Sequence, residues 1–318
     1  MLPRVLVLVI TVWVGVGVGD AIPNNRPIIG VLSQELSEYM ANKYPGNYSS
    51  YIAASYVKYL EGAGARVVPI KINQSELYYS DLVNSINGVL FPGGGANFAT
   101  AGGYADAGWI LYRHAIRLNQ AGDYFPVWGT CLGFELLTYL ATQLVNILAA
   151  CDSENLALPV AFKPGFNSSR LFSDASQEIL NILATENVTA NFHHFCLTEE
   201  NLTIAGLDRD WQVLSLNKDR LGFEFVSSFE HKRYPIYGVQ FHPEKNTYEW
   251  NAEKINPHTA NAILTEQYFA NFFVNEARKS NHSFPTEDLE EAALIYNYLP
   301  TYTGRNDSTF EQCYFISE

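Results

Sequence analysis

The sequence predicts an α/β fold with a mostly parallel central sheet flanked by helices, followed by a more irregular, strand-rich second half. In the first half, short apolar runs alternate with helical patterns. That alternation is typical of strand–helix–strand units and therefore of a parallel sheet. In the second half, closely spaced strand-like segments are joined by polar turns, which favours antiparallel pairs.

The first strand–helix–strand unit lies between residues 27 and 70. The segments 27–33 and 66–70 are apolar runs of the kind that form buried parallel strands. Between them, apolar residues recur at the spacing of a helix face: Ala53, Tyr56, Val57 and Leu60. Glycines at 62 and 64 follow, where a helix end favours glycine.

The alternation continues with helices predicted over 76–86 and 105–118 and strands over 88–91 and 124–128. Farther along, 211–216 and 223–226 are predicted as antiparallel strands, with residues 217–219 as the turn between them. A strand over 237–241 ends at His242. A last helix begins near Thr259, and five apolar residues are expected to form its core-facing side: Leu264, Tyr268, Phe269, Phe272 and Phe273.

The N-terminus predicts a secretory signal peptide over residues 1–19. A charged start precedes an apolar run that ends in small residues before Asp20. No linker divides the rest, so one domain over 20–318 is expected, in the lysosome or outside the cell. Seven Asn-x-Ser/Thr triplets are candidate glycosylation sites: Asn47, Asn73, Asn167, Asn187, Asn201, Asn281 and Asn306.

Charge and cysteine content narrow the function further. A net charge of −13 argues against nucleic acid or anionic membrane partners, and an acidic substrate would require local positive charge. No C-x-x-C pair suggests zinc, so neither a metal nor another cofactor is expected. There are four cysteines: Cys131, Cys151, Cys196 and Cys313. If one is a functional thiol, the other three cannot all pair within the chain.

Gly129-Thr130-Cys131-Leu132-Gly133 has the form of a nucleophile elbow, in which a strand turns sharply into a helix. The glycines relieve crowding there, and the helix N-terminus is expected to favour the reactive thiolate of Cys131. A buried core cysteine beside incidental glycines is the alternative.

His242-Pro243-Glu244 supplies the partners that a cysteine nucleophile needs. His242 is the predicted base, and Glu244 is placed to orient its ring. The glycine turn after the 88–91 strand can offer an unobstructed N–H, so the oxyanion hole is assigned to the N–H groups of Gly94 and Leu132. A turn that merely requires glycine geometry is the alternative.

A Pro-Gly-Gly turn, Gly-x-Cys-x-Gly and His-Pro-Glu, in this order, resemble the class I glutamine amidotransferase family, with its flavodoxin-like architecture. The strings over 123–135, 237–245, 272–278 and 302–314 resemble the γ-glutamyl hydrolase branch of that family. The resemblance implies hydrolysis of γ-glutamyl amide bonds through a thioester, with folate or antifolate poly-γ-glutamates as small-molecule substrates. It also implies a homodimer.

Three further residues are expected to contact the substrate. His193 is assigned by the resemblance, with a solvated loop histidine as the alternative. Lys245 is a candidate for binding substrate carboxylates. Glu135 stands where the amidotransferase pattern has glutamine. As an ionised acceptor it is expected to pair with a substrate N–H, or otherwise with a neighbouring cation.

Other functions remain open from the sequence alone. The chain could act as a glutaminase-type amidohydrolase on another γ-glutamyl compound, or as a secreted binding module without activity. A glutaminase subunit that feeds ammonia to a synthase fits poorly with a signal peptide and seven glycosylation triplets. Cys131, His242 and Glu244 together favour the enzyme.

Overall fold

The structure is a computed structural model that describes residues 23–305 and 308–317. The predicted signal peptide and Asn306 lie outside the described residues. The strands are β1 Ile28–Leu32, β2 Gln34–Glu35, β3 Ser50–Ala53, β4 Arg66–Ile70, β5 Val89–Phe91, β6 Val127–Thr130, β7 Ala149–Leu158, β8 Ala161–Phe162, β9 Thr189–Cys196, β10 Trp211–Lys218, β11 Glu224–His231, β12 Ile236–Val239, β13 Pro300–Tyr302 and β14 Gln312–Ile316.

The helices surround these strands. They are α1 Glu38–Lys43, α2 Ala54–Gly62, α3 Glu76–Val83, α4 Tyr104–Gln120, α5 Leu132–Ala141, α6 Gln177–Thr185, α7 Glu199–Ile204, α8 Lys245–Tyr248, α9 Ala260–Ala277 and α10 Glu287–Ala293. Several begin at side-chain caps, as α9 does at Thr259, whose side chain accepts from the Ala262 N–H. None of the described helices combines the length and apolar character needed to cross a bilayer.

The central sheet has eight strands in the order β4-β1-β5-β6-β12-β11-β10-β8. Neighbours from β4 to β12 are parallel, and those from β12 to β8 are antiparallel. This confirms the predicted fold class: the strand–helix alternation of the first half builds the parallel part, and the closely spaced strands of the second half extend it.

Apolar residues alternate between the two faces of the sheet, and each face has its own core. On one face, Trp128 and Tyr237 pack with Phe269 and Phe273 of α9. On the other, Val127 packs with the apolar residues of α3, α4 and α5. Successive strand residues point to opposite faces, so neighbouring residues such as Val127 and Trp128 join different cores.

Some predicted bounds are wrong by two or three residues: β6 was predicted over 124–128 and is Val127–Thr130, and α3 was predicted over 76–86 and is Glu76–Val83. Two other details also differ from the prediction. Strand β10 continues through Lys218, and the turn to β11 is organised by Asp219, whose carboxylate accepts from the N–H groups of Leu221 and Phe223. Leu264 is 41% exposed and does not belong to the core face of α9. A helix pattern identifies a face only approximately, and at this position the neighbouring elements leave the side chain in solvent.

Smaller sheets complete the fold. Strands β13, β14, β3 and β2 form an antiparallel sheet, in which the late strand β14 pairs with the early strand β3. Strands β7 and β9 form an antiparallel pair that a disulfide between Cys151 and Cys196 links. Cys131 and Cys313 remain free and buried, so the structure supplies the pairing that the sequence left open.

Candidate active site

The candidate site lies where three neighbouring parallel strands end. In the register of the sheet, Phe91 of β5 lies beside Gly129 of β6, and Thr130 of β6 lies beside Val239 of β12. The glycine turn, Cys131 and His242 follow these strands directly. Because parallel strands present their carboxyl ends at one edge of a sheet, three segments distant in sequence meet there.

Cys131 occupies a sharp turn between β6 and α5. Its φ of 50° and ψ of −108° are unusual for a residue other than glycine, which is the strained geometry of a nucleophile elbow. The turn also needs glycine at 133, because a Cβ there would lie 1.9 Å from the Phe91 carbonyl oxygen. The elbow predicted from the sequence is therefore present, with Cys131 at its apex.

His242 and Glu244 form a buried pair beside Cys131. His242 Nδ1 lies 2.7 Å from Glu244 Oε1, and both side chains are almost inaccessible to solvent. A Cβ added to Gly93 would lie 2.6 Å from His242 Cε1 and 3.0 Å from Cys131 Cβ, so the two side chains flank the same point. With Nδ1–H donating to Glu244, Nε2 is the free basic nitrogen of the ring.

In this environment the resting nucleophile is a neutral thiol. Burial, reinforced by the Glu135 and Glu244 carboxylates, raises the pKa of Cys131 well above its usual range, although the Leu132 N–H and Lys245 lower it. The thiol donates weakly to the Phe192 carbonyl oxygen at 3.9 Å. The helix N-terminus acts in the expected direction, through the Leu132 N–H, but desolvation outweighs it and the pKa of Cys131 rises overall.

The base is neutral at rest as well. Burial lowers the pKa of His242, although Glu244 opposes this shift. Burial alone would raise the pKa of Glu244, but the ring and hydrogen bond of His242, together with Lys245, lower it overall. The pair is thus a neutral imidazole held by an ionised carboxylate, which suits His242 to accept a proton from the thiol.

Side chains outside the cleft hold the glycine turn after β5 by hydrogen bonds to its carbonyl oxygens. The Gln34 side-chain amide donates to the carbonyl oxygens of Pro92 and Gly93 at 3.1 and 3.2 Å. The Tyr104 hydroxyl also donates to the Pro92 oxygen, at 2.7 Å. A Cβ on Gly94 would lie 2.0 Å from Gln34 Oε1, so a larger residue there would displace the Gln34 amide from the turn. Gly94 lines the cleft with Cys131, and the Leu132 N–H interacts with the sulfur.

These side chains open onto a cleft of about 360 Å³ with an aromatic wall and two lysines. The Lys245 ammonium lies 5.1 Å from the ring centre of Phe192 and 4.8 Å from that of Phe310. Lys254 lies 5.7 Å from the Phe192 ring and 3.4 Å from a Glu154 oxygen. Among the described residues, Lys245 has no carboxylate within ion-pair distance, which leaves its charge available in the cleft.

Glu135 differs from its sequence-based interpretation. Its side chain is buried, and Oε1 accepts from Gln240 Nε2 at 3.2 Å. Burial raises the pKa of Glu135 to about 8, with the Gln240 hydrogen bond opposing the shift. The carboxyl is therefore protonated at neutral pH, and the expectation of an ionised acceptor is wrong. It also forms none of the salt bridges found among the described residues. A neutral carboxyl offers a donor and an acceptor, as the amidotransferase glutamine does.

We expect Glu135→Gln to flatten the pH dependence of stability. Between pH 4.5 and about 8, folded Glu135 holds a proton that the unfolded chain has released. The free energy of unfolding should therefore fall as pH rises, by about 1.4 kcal/mol per pH unit from this residue. Glutamine has no such proton. Urea unfolding at pH 6.5, 7.0 and 7.5 measures the difference.

Two buried histidines set the lower limit of the pH range for this unfolding experiment, and an exposed glutamate supplies the control. Burial lowers the pKa of His193 to about 3 and that of His231 to about 4, so both contribute the opposite slope below pH 6.5. The exposed Glu287, changed to glutamine, should leave the slope of the wild-type protein unchanged. An identical slope in Glu135→Gln and wild type would contradict a raised pKa at Glu135.

The structure places His193 behind the cleft wall. The ring is 3% exposed, Nδ1 lies 2.9 Å from the Phe195 oxygen, and Nε2 lies 3.3 Å from Asn191 Oδ1. The His193 ring packs against the sulfurs of Cys151 and Cys196. These three side chains are close enough to hold a metal ion, but the two cysteines form a disulfide with each other. In this conformation both ring nitrogens face oxygens inside the protein, of which a neutral ring can donate to one, and His193 does not line the substrate cleft.

The neighbouring residue Phe192 is the part of this segment that meets the site. Its carbonyl faces Cys131 Sγ, and its ring lies edge-on to His242, with centres 5.9 Å apart. The predicted segment lies at the site, and the residue of it that lines the cleft is Phe192 rather than His193. Period-two alternation along β9 could have indicated that residues 192 and 193 face opposite sides. Tyr56, Gln34, Lys254 and Phe310 carried no comparable sequence signal.

Most glycosylation triplets are at the surface. Among the described residues, five of the asparagines are exposed: Asn47, Asn73, Asn167, Asn187 and Asn281. Asn201 is half-buried, and its side-chain nitrogen donates to the Ile147 oxygen at 2.7 Å. A glycan would be attached to that same nitrogen, so Asn201 is the least suited of the six.

The sheet and the Cys–His–Glu site at its carboxyl edge define a cysteine hydrolase of the class I glutaminase-like type. The Peptidase C26 family model matches residues 27–244. Gamma-glutamyl hydrolase of Homo sapiens is 48% identical over 293 residues, 92% of this chain and 90% of that protein. Gamma-glutamyl hydrolase B of Dictyostelium discoideum is 41% identical, over 92% of this chain and 84% of that protein. This chain therefore belongs to the γ-glutamyl hydrolase family of C26 peptidases.

A solved structure of a glutamine amidotransferase from Methylobacillus flagellatus also matches. It covers 82% of this chain and 97% of its own, with a TM-score of 0.42 and 10% identity.

Proposed function

We propose that this protein hydrolyses γ-glutamyl amide bonds through a thioester on Cys131, with folate and antifolate poly-γ-glutamates as substrates. The observation that carries the proposal is the convergence of Cys131, the His242–Glu244 pair and the Gly94 turn on one cleft. The names of the curated relatives supply the bond type. A γ-linked glutamyl peptide and a glutamine side chain present the same acyl group to the sulfur.

The first half of the proposed reaction forms the thioester. His242 Nε2 takes the Cys131 proton as Sγ attacks the γ-carbonyl carbon, and Glu244 stabilises the resulting imidazolium. The carbonyl oxygen becomes an oxyanion that accepts from the Gly94 and Leu132 N–H groups. His242 then gives its proton to the leaving nitrogen, the C–N bond breaks, and the amino acid or peptide amine departs.

The second half reverses these roles. A water molecule enters beside His242, which takes one of its protons as the oxygen attacks the thioester carbon. The same two N–H groups stabilise the second oxyanion. The C–S bond breaks, the proton returns to Cys131, and the shortened γ-glutamyl acid leaves. The neutral resting thiol and imidazole are thereby restored.

Two lysines account for an acidic substrate on a protein of net charge −13. Lys245 is 5% exposed and held between two aromatic rings, so its ammonium is pre-positioned within the cleft. Lys254 lies at the same Phe192 ring, with Glu154 beside it. We propose that Lys245 binds an α-carboxylate of the γ-glutamyl chain and that Lys254 adds positive charge near it.

Product analysis with a folate carrying a γ-linked glutamate tail of defined length tests this function. We expect shortened products from the γ-linked substrate and none from an α-linked isomer. Lys245→Met should raise KM at least tenfold with a smaller change in kcat, because a charge-assisted contact is lost. Lys218→Met, at an exposed lysine, is the control. Cleavage of the α-linked isomer at a similar rate would contradict the proposal.

We also propose passage through the secretory pathway to the lysosome or the extracellular space, and assembly as a homodimer. A disulfide and exposed glycosylation triplets are consistent with an oxidising compartment. From a eukaryotic host, the mature N-terminus should lie near Asp20, and glycosidase should lower the mass by several glycans. An intact Met1 without a mass change would contradict this location, and a monomer mass by light scattering would contradict the dimer.

A further inference from the structure

The Tyr56 hydroxyl lies at the junction of the base pair and the glycine turn. Tyr56 belongs to α2 and is 1% exposed. Its oxygen accepts from the Gly93 N–H at 2.8 Å and lies 3.3 Å from His242 Nδ1. One side-chain oxygen therefore contacts both the backbone next to the proposed oxyanion donor and the proposed general base.

The direction of these hydrogen bonds follows from the available protons. His242 Nδ1 gives its proton to Glu244 Oε1 at 2.7 Å, so that nitrogen cannot also accept a proton from the tyrosine. The hydroxyl already accepts from Gly93, which leaves its own proton for an acceptor, and the Glu244 carboxylate is the charged group that adds most to the burial that raises the pKa of Tyr56. Within the described chain, Glu244 Oε2 is buried without a hydrogen-bond partner. That oxygen is therefore available to accept the tyrosine proton.

The other side of the turn is held independently. Gln34 and Tyr104 bind the carbonyl oxygens of Pro92 and Gly93. Tyr56 binds the one N–H of Gly93, and a Cβ at Gly93 would lie 2.8 Å from the tyrosine oxygen. The peptide planes that precede the Gly94 N–H are consequently fixed from both directions.

We propose that Tyr56 is a positioning residue that couples the His242–Glu244 pair to the oxyanion turn. This proposal rests on the proposed hydrolase function. Through Gly93, the hydroxyl holds the turn so that Gly94 N–H faces the reacting carbonyl. Through Glu244, it withdraws charge from the carboxylate that supports His242. Both components are therefore set by one side chain that contacts neither substrate nor nucleophile.

Other charged groups face Glu244 and bear on any pH readout. His242 and Lys245 lower its pKa after burial raises it. Two further carboxyls, Glu249 and Glu266, are near enough to Glu244 for their own pKa values to be raised, chiefly by burial. The pH profiles of the variants are therefore compared only between proteins that keep His242, Lys245, Glu249 and Glu266.

Tyr56→Phe and Tyr59→Phe form a matched pair for the test. Tyr59 is on the same helix and 2% exposed, and its hydroxyl has no hydrogen-bond partner among the described residues. For each variant we would measure kcat and KM on a γ-glutamyl substrate, the unfolding temperature, and the pH profile of Cys131 alkylation. Peptide mass spectrometry distinguishes alkylation of Cys131 from that of Cys313.

Tyr56→Phe should lower kcat about tenfold to a hundredfold with KM little changed, as expected for a lost charge-assisted hydrogen bond and a displaced oxyanion donor. Its alkylation profile should move to lower pH, because Glu244 without the tyrosine proton stabilises the imidazolium–thiolate pair more strongly. Easier ionisation with slower turnover is not expected from general loosening of the fold. Tyr59→Phe should match wild type in kcat and in the pH profile of Cys131 alkylation.

Gln34→Met separates the two contacts, since it loosens the turn without touching Glu244. It should lower kcat and leave the alkylation profile unchanged, and it keeps the test available if Tyr56→Phe does not fold. Wild-type kcat and alkylation in Tyr56→Phe, or equal effects in Tyr56→Phe and Tyr59→Phe, would overturn the proposal. A profile shift in Gln34→Met would also do so. If wild type cleaves no γ-glutamyl substrate, the proposed function fails, and the alkylation profiles still decide the role of Tyr56.

Discussion

Replacing Cys131 with alanine is expected to abolish hydrolysis, with a loss of at least about 10⁴-fold in kcat, while the protein remains folded. The sulfur is the only atom at the apex of the elbow that can form the thioester, and alanine occupies less space in the same buried position. Turnover of a γ-glutamyl substrate and the thermal unfolding transition measure the two parts of this expectation.

Cys313→Ala is the matched control for that variant. Cys313 is also a free, buried thiol, but it lies in β14, accepts a hydrogen bond from the Thr303 hydroxyl and is outside the cleft. It should retain activity. Substantial hydrolysis by Cys131→Ala would remove the covalent mechanism, and loss of activity in Cys313→Ala alone would point to a different nucleophile.

Replacing His242 with alanine should be nearly as severe as losing the nucleophile, because His242 both removes the thiol proton and protonates the leaving amine. The raised pKa of the Cys131 thiol makes this dependence stronger, since burial disfavours a thiolate that could attack without a base. We expect kcat to fall by at least about 10³-fold.

Glu244→Gln should be milder, because the amide oxygen can still accept from Nδ1 and orient the ring, although it stabilises the imidazolium less. The order of the two variants is the test, measured as kcat on one substrate at one pH. A Glu244→Gln protein that was slower than His242→Ala would show that the roles assigned to these residues are wrong.

The fold class was predictable because its signals are local. Apolar runs, residues at helical spacing and glycines in the first half predicted the parallel strands to within about three residues, with 66–70 matching β4 and 124–128 displaced from β6. The site was predictable for a related reason. A nucleophile elbow and a His-Pro-Glu segment each require particular residues at fixed spacing, and parallel strands bring their ends together without further sequence information.

What the sequence could not supply depends on burial and on contacts between distant segments. From the sequence, Glu135 is expected to be an ionised acceptor, because its burial beside Gln240 is visible only in the structure. The sequence also suggested His193 as a cleft residue, and only the structure shows that its side chain is buried and turned away from the cleft. From the sequence, Tyr56 is predicted only to be a core-facing residue of a helix, because the glycine turn that its hydroxyl binds lies 37 residues away.

The central claim is a γ-glutamyl thioester on Cys131, and its most direct test is mass spectrometry of the enzyme quenched in acid during turnover of a γ-glutamyl substrate. The account predicts a peptide containing Cys131 that carries the acyl portion of the substrate, and no such adduct with the α-linked isomer or on Cys313. Product formation without an adduct at Cys131 under conditions that trap thioesters, or an acyl group on another residue, would contradict it.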